Sequence, residues 1–361
     1  MNEKSNLKFL SSIKGILCIT VLLHHLWLLF EAERDGFIMA NNTSVLVEKI
    51  SYFWQAIGRT SVFGFFIITG IGIRMSFERT KKVSPRSILM RYVKLMYPIL
   101  AVSMISYFLM KFKLFACYFP DTSCFSSWAL GHNNFVPDLL NVIKISVFDL
   151  WKYQGMNPYV SFTWPMYCFL WGGYLCYAIA SVTQGWKKSY KLFFFIMLCA
   201  LFYHTDLLLF IIGFAIGDLY CEPGFVPFNH SVLNVISTVL IIMLTVLSNS
   251  SYLTDYVLRE IVTGIVFLLI VFNSNFYDKC LSGRSLRFLG KISWNVYLLQ
   301  YPIMFTFSCA VFQHIYNLRG MAVAEVLAVI FTIAAVILLS TLFTWFTDYI
   351  NKRIAPHFDA G

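Results

Sequence analysis

Ten apolar runs divided by short polar breaks make up most of this chain. They fall at about 9–30, 52–77, 91–111, 160–182, 187–204, 205–221, 232–249, 258–275, 290–312 and 321–347. At 1.5 Å per residue, a helix over each run reaches across a hydrocarbon core of about 30 Å, although the fifth and sixth are short. Only His204, Thr205 and Asp206 separate those two. The pattern predicts an all-α, polytopic integral membrane protein with about ten transmembrane helices. The first run is too long for a signal peptide, is broken by Lys14, His24 and His25, and lacks a small-residue cleavage site. It is expected to remain as a helix.

Composition agrees with the pattern. Hydrophobic residues are 58% of the 361 and charged residues 13%, and mean hydropathy is +0.69; soluble domains carry far more charge. The net charge of +10 does not indicate nucleic acid, because the charges sit in short loops between apolar runs. With both termini cytoplasmic, 19 of the 28 Lys and Arg fall on the inner side. Merging runs five and six would throw Lys279–Lys291 and Lys352-Arg353 outside and spoil that bias.

No internal repeat or low-complexity linker is visible, so residues 1–361 read as one membrane domain with a large outside loop at 112–159. A weakly amphipathic stretch in that loop, Pro137 to Trp151, suits a segment lying along the membrane surface. Most cysteines are intramembrane packers. Cys117 and Cys124 share the outside loop, where an oxidising compartment would allow a disulfide. No Cys/His set has metal-site spacing, and no metal or redox cofactor is implied.

Ionisable residues inside apolar runs are functional candidates by default. Lys14 and His25 share the first run. Eleven steps of about 100° bring them within about 20° of one helix face, roughly 16 Å apart along it. A cation near one membrane surface thus shares a face with a titratable imidazole deeper in the helix. Lys14 has a second reading as a cation snorkelling to the inner surface, and His25 as a hydrogen-bonded packer. His24, about 100° around the helix, faces elsewhere. Arg59 opens the second run from the outer side, near Gly58, Gly64 and Gly70. Arg86, Arg91 and Lys94 form a basic stretch ending in Tyr97-Pro98, which also suits positive-inside anchoring.

These residues resemble the acyltransferase 3 family, membrane enzymes that O-acylate sugars and surface polysaccharides. The first helix of that family carries Arg or Lys, ten residues, then His, which Lys14 and His25 match. Phe65-Phe66 with Thr69-Gly70, Arg91, Lys94, Tyr97 and Pro98, and Leu289, Gly290, Ser293, Tyr297, Leu298 and Gln300 are similar to its later motifs in order. Thr69 stands for a usual serine, Lys94 for an arginine and Gln300 for a late histidine, and the glutamate that many members carry after the tryptophan is missing near Trp164.

The resemblance implies a multipass O-acetyltransferase of the cell membrane. Its donor would be acetyl-CoA, a co-substrate and not a cofactor, and its acceptor a cell-surface glycan or lipid-linked precursor. Lys14, Arg86, Arg91 and Lys94 would hold the donor's phosphates. Neutral His25 would act as general base. Arg59 and Thr69 would stabilise developing negative charge or orient the acceptor, with Tyr297 and Gln300 in the same cavity. A glycolipid transporter or flippase is the alternative from another class, although the inverted repeats of such transporters are not seen. A non-catalytic family member is the third reading.

Overall fold

The computed structural model describes residues 8–40, 45–115, 135–153, 155–228, 230–250, 252–253 and 255–357. Cys117 and Cys124 lie outside them. All ten runs form helices, and among the described residues there is no strand.

The helices are α1 (Phe9–Ala40), α2 (Val45–Thr80), α3 (Pro85–Lys111), α4 (Leu139–Val147), α5 (Met166–Val182), α6 (Lys188–Leu201) and α7 (Leu207–Cys221). They continue with α8 (Ser231–Ser248), α9 (Tyr256–Phe272), α10 (Ser274–Cys280), α11 (Arg284–Ile303), α12 (Cys309–Arg319) and α13 (Met321–His357). Asp138 caps α4 by accepting from the Leu140 and Asn141 amides at 3.3 and 3.2 Å. Asp255 caps α9 through the Leu258 amide at 2.7 Å. Such caps satisfy amides that have no partner within the helix.

The expected ten spans become, among the described residues, seven helices long and apolar enough to cross a membrane, or eight if α9 and α10, bent by 80°, count as one. Length explains the difference. α6 has 14 residues and α7 has 15, which extend only about 21–23 Å. The chain is an all-α polytopic membrane protein. Its burial follows membrane logic, since the two most apolar spans are the most exposed. Val323–Arg353 has mean hydropathy 2.8 with 22% of its apolar window buried, and Ser231–Ser248 has 2.2 with 11% buried. Arg284–Arg319, at 1.2, has 78% buried. Lipid accepts the Leu- and Val-rich faces, and the interior holds the polar ones.

Contacts gather in two units. The first comprises Met1–Thr20, Lys49–Arg91 and Cys168–Lys291, and the second Val21–Glu48, Tyr92–Tyr167 and Ile292–Gly361. Close helix crossings build the first. A Cβ on Gly290 of α11 would strike the Ser11 carbonyl of α1, and one on Gly70 of α2 would strike the Phe210 carbonyl of α7. Both positions therefore require glycine for backbone to meet backbone. The Ser12 hydroxyl tightens the first crossing by donating to the Leu281 carbonyl at 2.5 Å.

In the second unit, the segment after residue 135 runs beside α3. Asp138 and Tyr159 hydrogen-bond each other, the Tyr159 hydroxyl serving both the amide and the carbonyl of Asp138 at 3.0 Å. Asn157 donates to Ser103 at 2.8 Å, whereas the Tyr92 hydroxyl reaches the Val147 carbonyl at 2.5 Å and the Tyr92 ring meets Trp151 edge-on. Ser103 and Tyr92 are eleven residues apart, about 16 Å along α3. α4 and the turn Asp149–Trp151 thus descend along α3, and the chain returns by Asn157. Further on, Pro302 removes an amide from α11, and a wide π turn at Met304–Ser308 leads into α12. That turn sets the Tyr301 and Phe305 rings 4.7 Å apart. α12 ends at Gly320, whose φ of 81° lies in the region open to glycine.

Candidate functional site

Two places gather chemistry, one in each unit. The first is a cavity of about 300 Å³ in the first unit, between α1, α2, the Lys81–Ser84 link, α3 and α5. Lys14 and Lys82 bring its cations. Thr69, Ser76, Thr80, Ser87 and Tyr177 bring hydroxyls, and Ile68, Ile73, Phe77 and Val83 the apolar wall. Helical spacing explains the shared face: Thr69, Ile73, Ser76 and Thr80 follow one another at three or four residues along α2. Lys81 takes a left-handed φ of 56°, and the Thr80 hydroxyl donates to the Lys82 carbonyl at 3.1 Å. These features turn the chain sharply after α2.

Nearby cations are already neutralised. Arg74 donates to Asp218 at 2.7 Å and to Glu78 at 2.8 Å. Lys191 reaches Asp218 at 3.3 Å, and Lys81 pairs with Glu78. Arg74 and Asp218 are each only 8% exposed, so each needs the other to offset desolvation. Lys14 and Lys82, in contrast, have no salt bridge among the described residues. The cavity therefore presents two uncompensated ammonium groups among hydroxyls, a setting for an anion.

The second place is His25, in the second unit. Its imidazole stacks on the Phe162 ring with centroids 3.7 Å apart and planes 12° from parallel. Phe162 belongs to the turn Ser161–Thr163 just before α5. Its carbonyl accepts the Tyr297 hydroxyl, and its ring meets Tyr301 edge-on at 4.9 Å. One turn along α11, Gln300 donates its amide to the Tyr297 carbonyl at 3.0 Å. Gln300 is fully buried, and its Oε1 has no hydrogen-bond partner among the described residues. A buried acceptor left in that condition is costly. The His24 ring lies 5.4 Å from that of His25 at an angle of 49°.

The model of a family described as an acyltransferase domain matches residues 7–345, nearly the whole chain. The chain belongs to the acyltransferase 3 family. Among curated proteins and among solved structures, none matches it.

Within this acyltransferase, the residues singled out from sequence separate into groups. Lys14 and Thr69 meet in the cavity. His25 and Tyr297 both meet Phe162, at its ring and at its carbonyl, and Gln300 bonds the Tyr297 carbonyl. Arg91 is not among the cavity's lining residues; its guanidinium donates to the Phe169 carbonyl of α5, packed over Gly173. Arg86 and the exposed Lys94 also lie outside the lining. Arg59 sits 5.3 Å from the ring centroid of Tyr256, whose hydroxyl donates to Asp206. Metal-capable groups of three or more His, Cys, Asp or Glu are absent among the described residues.

Sequence reasoning passed over four residues. Lys82 counted only toward orientation, and Phe162 was one aromatic among many. Asp218 and Glu260 are carboxylates inside apolar runs, a signal present in the sequence. Glu260 is fully buried, one helical turn beyond Tyr256, and neither of its oxygens has a hydrogen-bond partner among the described residues.

Proposed function

We propose that this membrane acyltransferase moves an acyl group, acetyl in the first instance, from acyl-CoA to a hydroxyl of a cell-surface glycan or its lipid-linked precursor, and works in the cell membrane. The observation that carries the donor half is the cavity in which Lys14 and Lys82 have no carboxylate partner among the described residues while their neighbours do. With the orientation expected from 19 of 28 Lys and Arg on the inner side, Lys82 and Ser87 sit at the cytoplasmic end, where acyl-CoA is found. The two ammonium groups take phosphate oxygens, and Thr69, Ser76 and Thr80 supply further hydrogen bonds. About 300 Å³ holds only part of a coenzyme A molecule.

The acceptor half rests on His25. Its neutral imidazole takes the proton of the acceptor hydroxyl as that oxygen bonds to the thioester carbon. The tetrahedral intermediate collapses with loss of the coenzyme A thiolate, which recovers the proton from the imidazolium. Ester and thiol are the products, and His25 returns neutral. The buried Gln300 oxygen offers an acceptor to a second hydroxyl of the sugar.

The test is thioester consumption by purified protein in nanodiscs, with acetyl-CoA and lipid-linked oligosaccharides as acceptors. Thioester loss matched by acylated acceptor is expected. Movement of the acceptor across the bilayer without thioester loss would overturn the reading in favour of transport.

A further inference from the structure

We propose that Phe162 is a positioning residue for His25, fixing the plane of the imidazole and stabilising its protonated form through the face of the phenyl ring. The proposal rests on the reading of His25 as general base and adds a partner that the sequence did not suggest.

At 3.7 Å and 12°, the phenyl ring covers one face of the imidazole. Rotation of the imidazole out of this plane would strike the phenyl ring, so its nitrogen-bearing edges stay directed. Phe162 is held in turn from other sides. Tyr301 meets it edge-on at 4.9 Å and 89°, Phe305 lies 6.4 Å away, and its carbonyl accepts the Tyr297 hydroxyl. Phe162 is 4% exposed while His25 is partly exposed. The buried ring is therefore the support, and the imidazole above it is the reactive surface.

The chemistry gives the stack a direction. Proton transfer from the acceptor hydroxyl converts the imidazole into an imidazolium as the new carbon–oxygen bond forms. A cation over an aromatic face is attracted by the ring quadrupole, and the attraction grows where water is excluded. Neutral imidazole gains less from the same contact. Stabilisation that strengthens as charge develops lowers the barrier and leaves ground-state binding unchanged. When the proton passes to the departing thiolate, the extra attraction disappears and the product is not retained.

The test is made on full-length protein in nanodiscs. Phe162 is replaced, by site-specific incorporation, with phenylalanines bearing one, two or three ring fluorines. These drain the ring face with little change in volume, so folding is preserved. The expected result is a stepwise fall in kcat with each fluorine, reaching roughly 5- to 30-fold, with KM unchanged for both substrates. Phe162→Leu should match the low end of the series, and Phe162→Tyr should restore most of the rate. A flat fluorine series would show that the ring only fills space and would overturn the proposal. His25→Gln separates the two levels of the argument. If that variant is inactive and the series is flat, only the role of Phe162 falls. If it keeps its activity, the base assignment fails as well.

Discussion

The two chemistry-bearing regions hold polar groups in different ways. Beside the cavity of the first unit, charge is held by opposite charge: Arg74, Lys191 and Lys81 share Asp218 and Glu78. Around His25, in the second unit, the polar groups sit among rings, and main-chain oxygens take their hydrogen bonds. Paired charges in a buried place are committed to the fold, because removing one strands the other. An imidazole on a phenyl face keeps its nitrogens directed, and a lysine without a carboxylate keeps its charge for a ligand. The difference therefore separates residues whose loss should cost stability from those whose loss should cost rate or affinity.

The largest effect should come from His25. Positioned general bases contribute about 100- to 10,000-fold, so His25→Gln should lower transfer by that much while its unfolding midpoint in detergent stays near that of the parent. Asp218→Ala should show the reverse. Lys191 would lose its carboxylate and Arg74 would keep only Glu78, which should cost about 3 kcal/mol of stability, read by chemical unfolding in detergent, and replacing Arg74 with Met in the same chain should recover part of it. An Asp218→Ala protein of full stability would remove the contrast.

Next come the two cavity lysines. Losing one charge-assisted phosphate contact costs about 1.5–3 kcal/mol, or roughly 10- to 150-fold in affinity. Lys82→Gln and Lys14→Gln should weaken acyl-CoA binding by that factor in calorimetry. Arg91→Gln should affect it much less, since that guanidinium is engaged with the Phe169 carbonyl. The smallest effect is expected at Glu260. A neutral amide of nearly the same shape removes the cost of burying a carboxylate with no hydrogen-bond partner among the described residues, so Glu260→Gln should unfold at the same temperature as the parent or higher.

Helix positions were legible because apolar length is a strong signal; every run became a helix. The number of spans was not, because sequence cannot say whether 14 or 15 apolar residues cross a bilayer, stop within it or pack as a pair. Spacing and motif singled out Lys14 and Thr69, and both line one cavity. Lys82 was not, since a lysine in an inner loop looks the same whether it anchors a helix or turns into a cavity. Only the left-handed Lys81 and the turn after α2 decide that. Arg91 looked like a phosphate ligand, yet close packing over Gly173 turns it to a neighbouring carbonyl. Phe162 left no trace among 36 phenylalanines, because stacking on His25 is made by tertiary contact alone.

The most direct measurement is mass spectrometry of surface glycans from cells that make the parent protein, the His25→Gln variant, or neither. The account predicts sugar units heavier by an acyl group, acetyl first, only in cells with the parent protein. Equal acylation in cells with the parent and with a stably inserted His25→Gln variant, above that in cells with neither, would contradict His25 as the base. Identical glycans in all three would contradict the glycan acceptor.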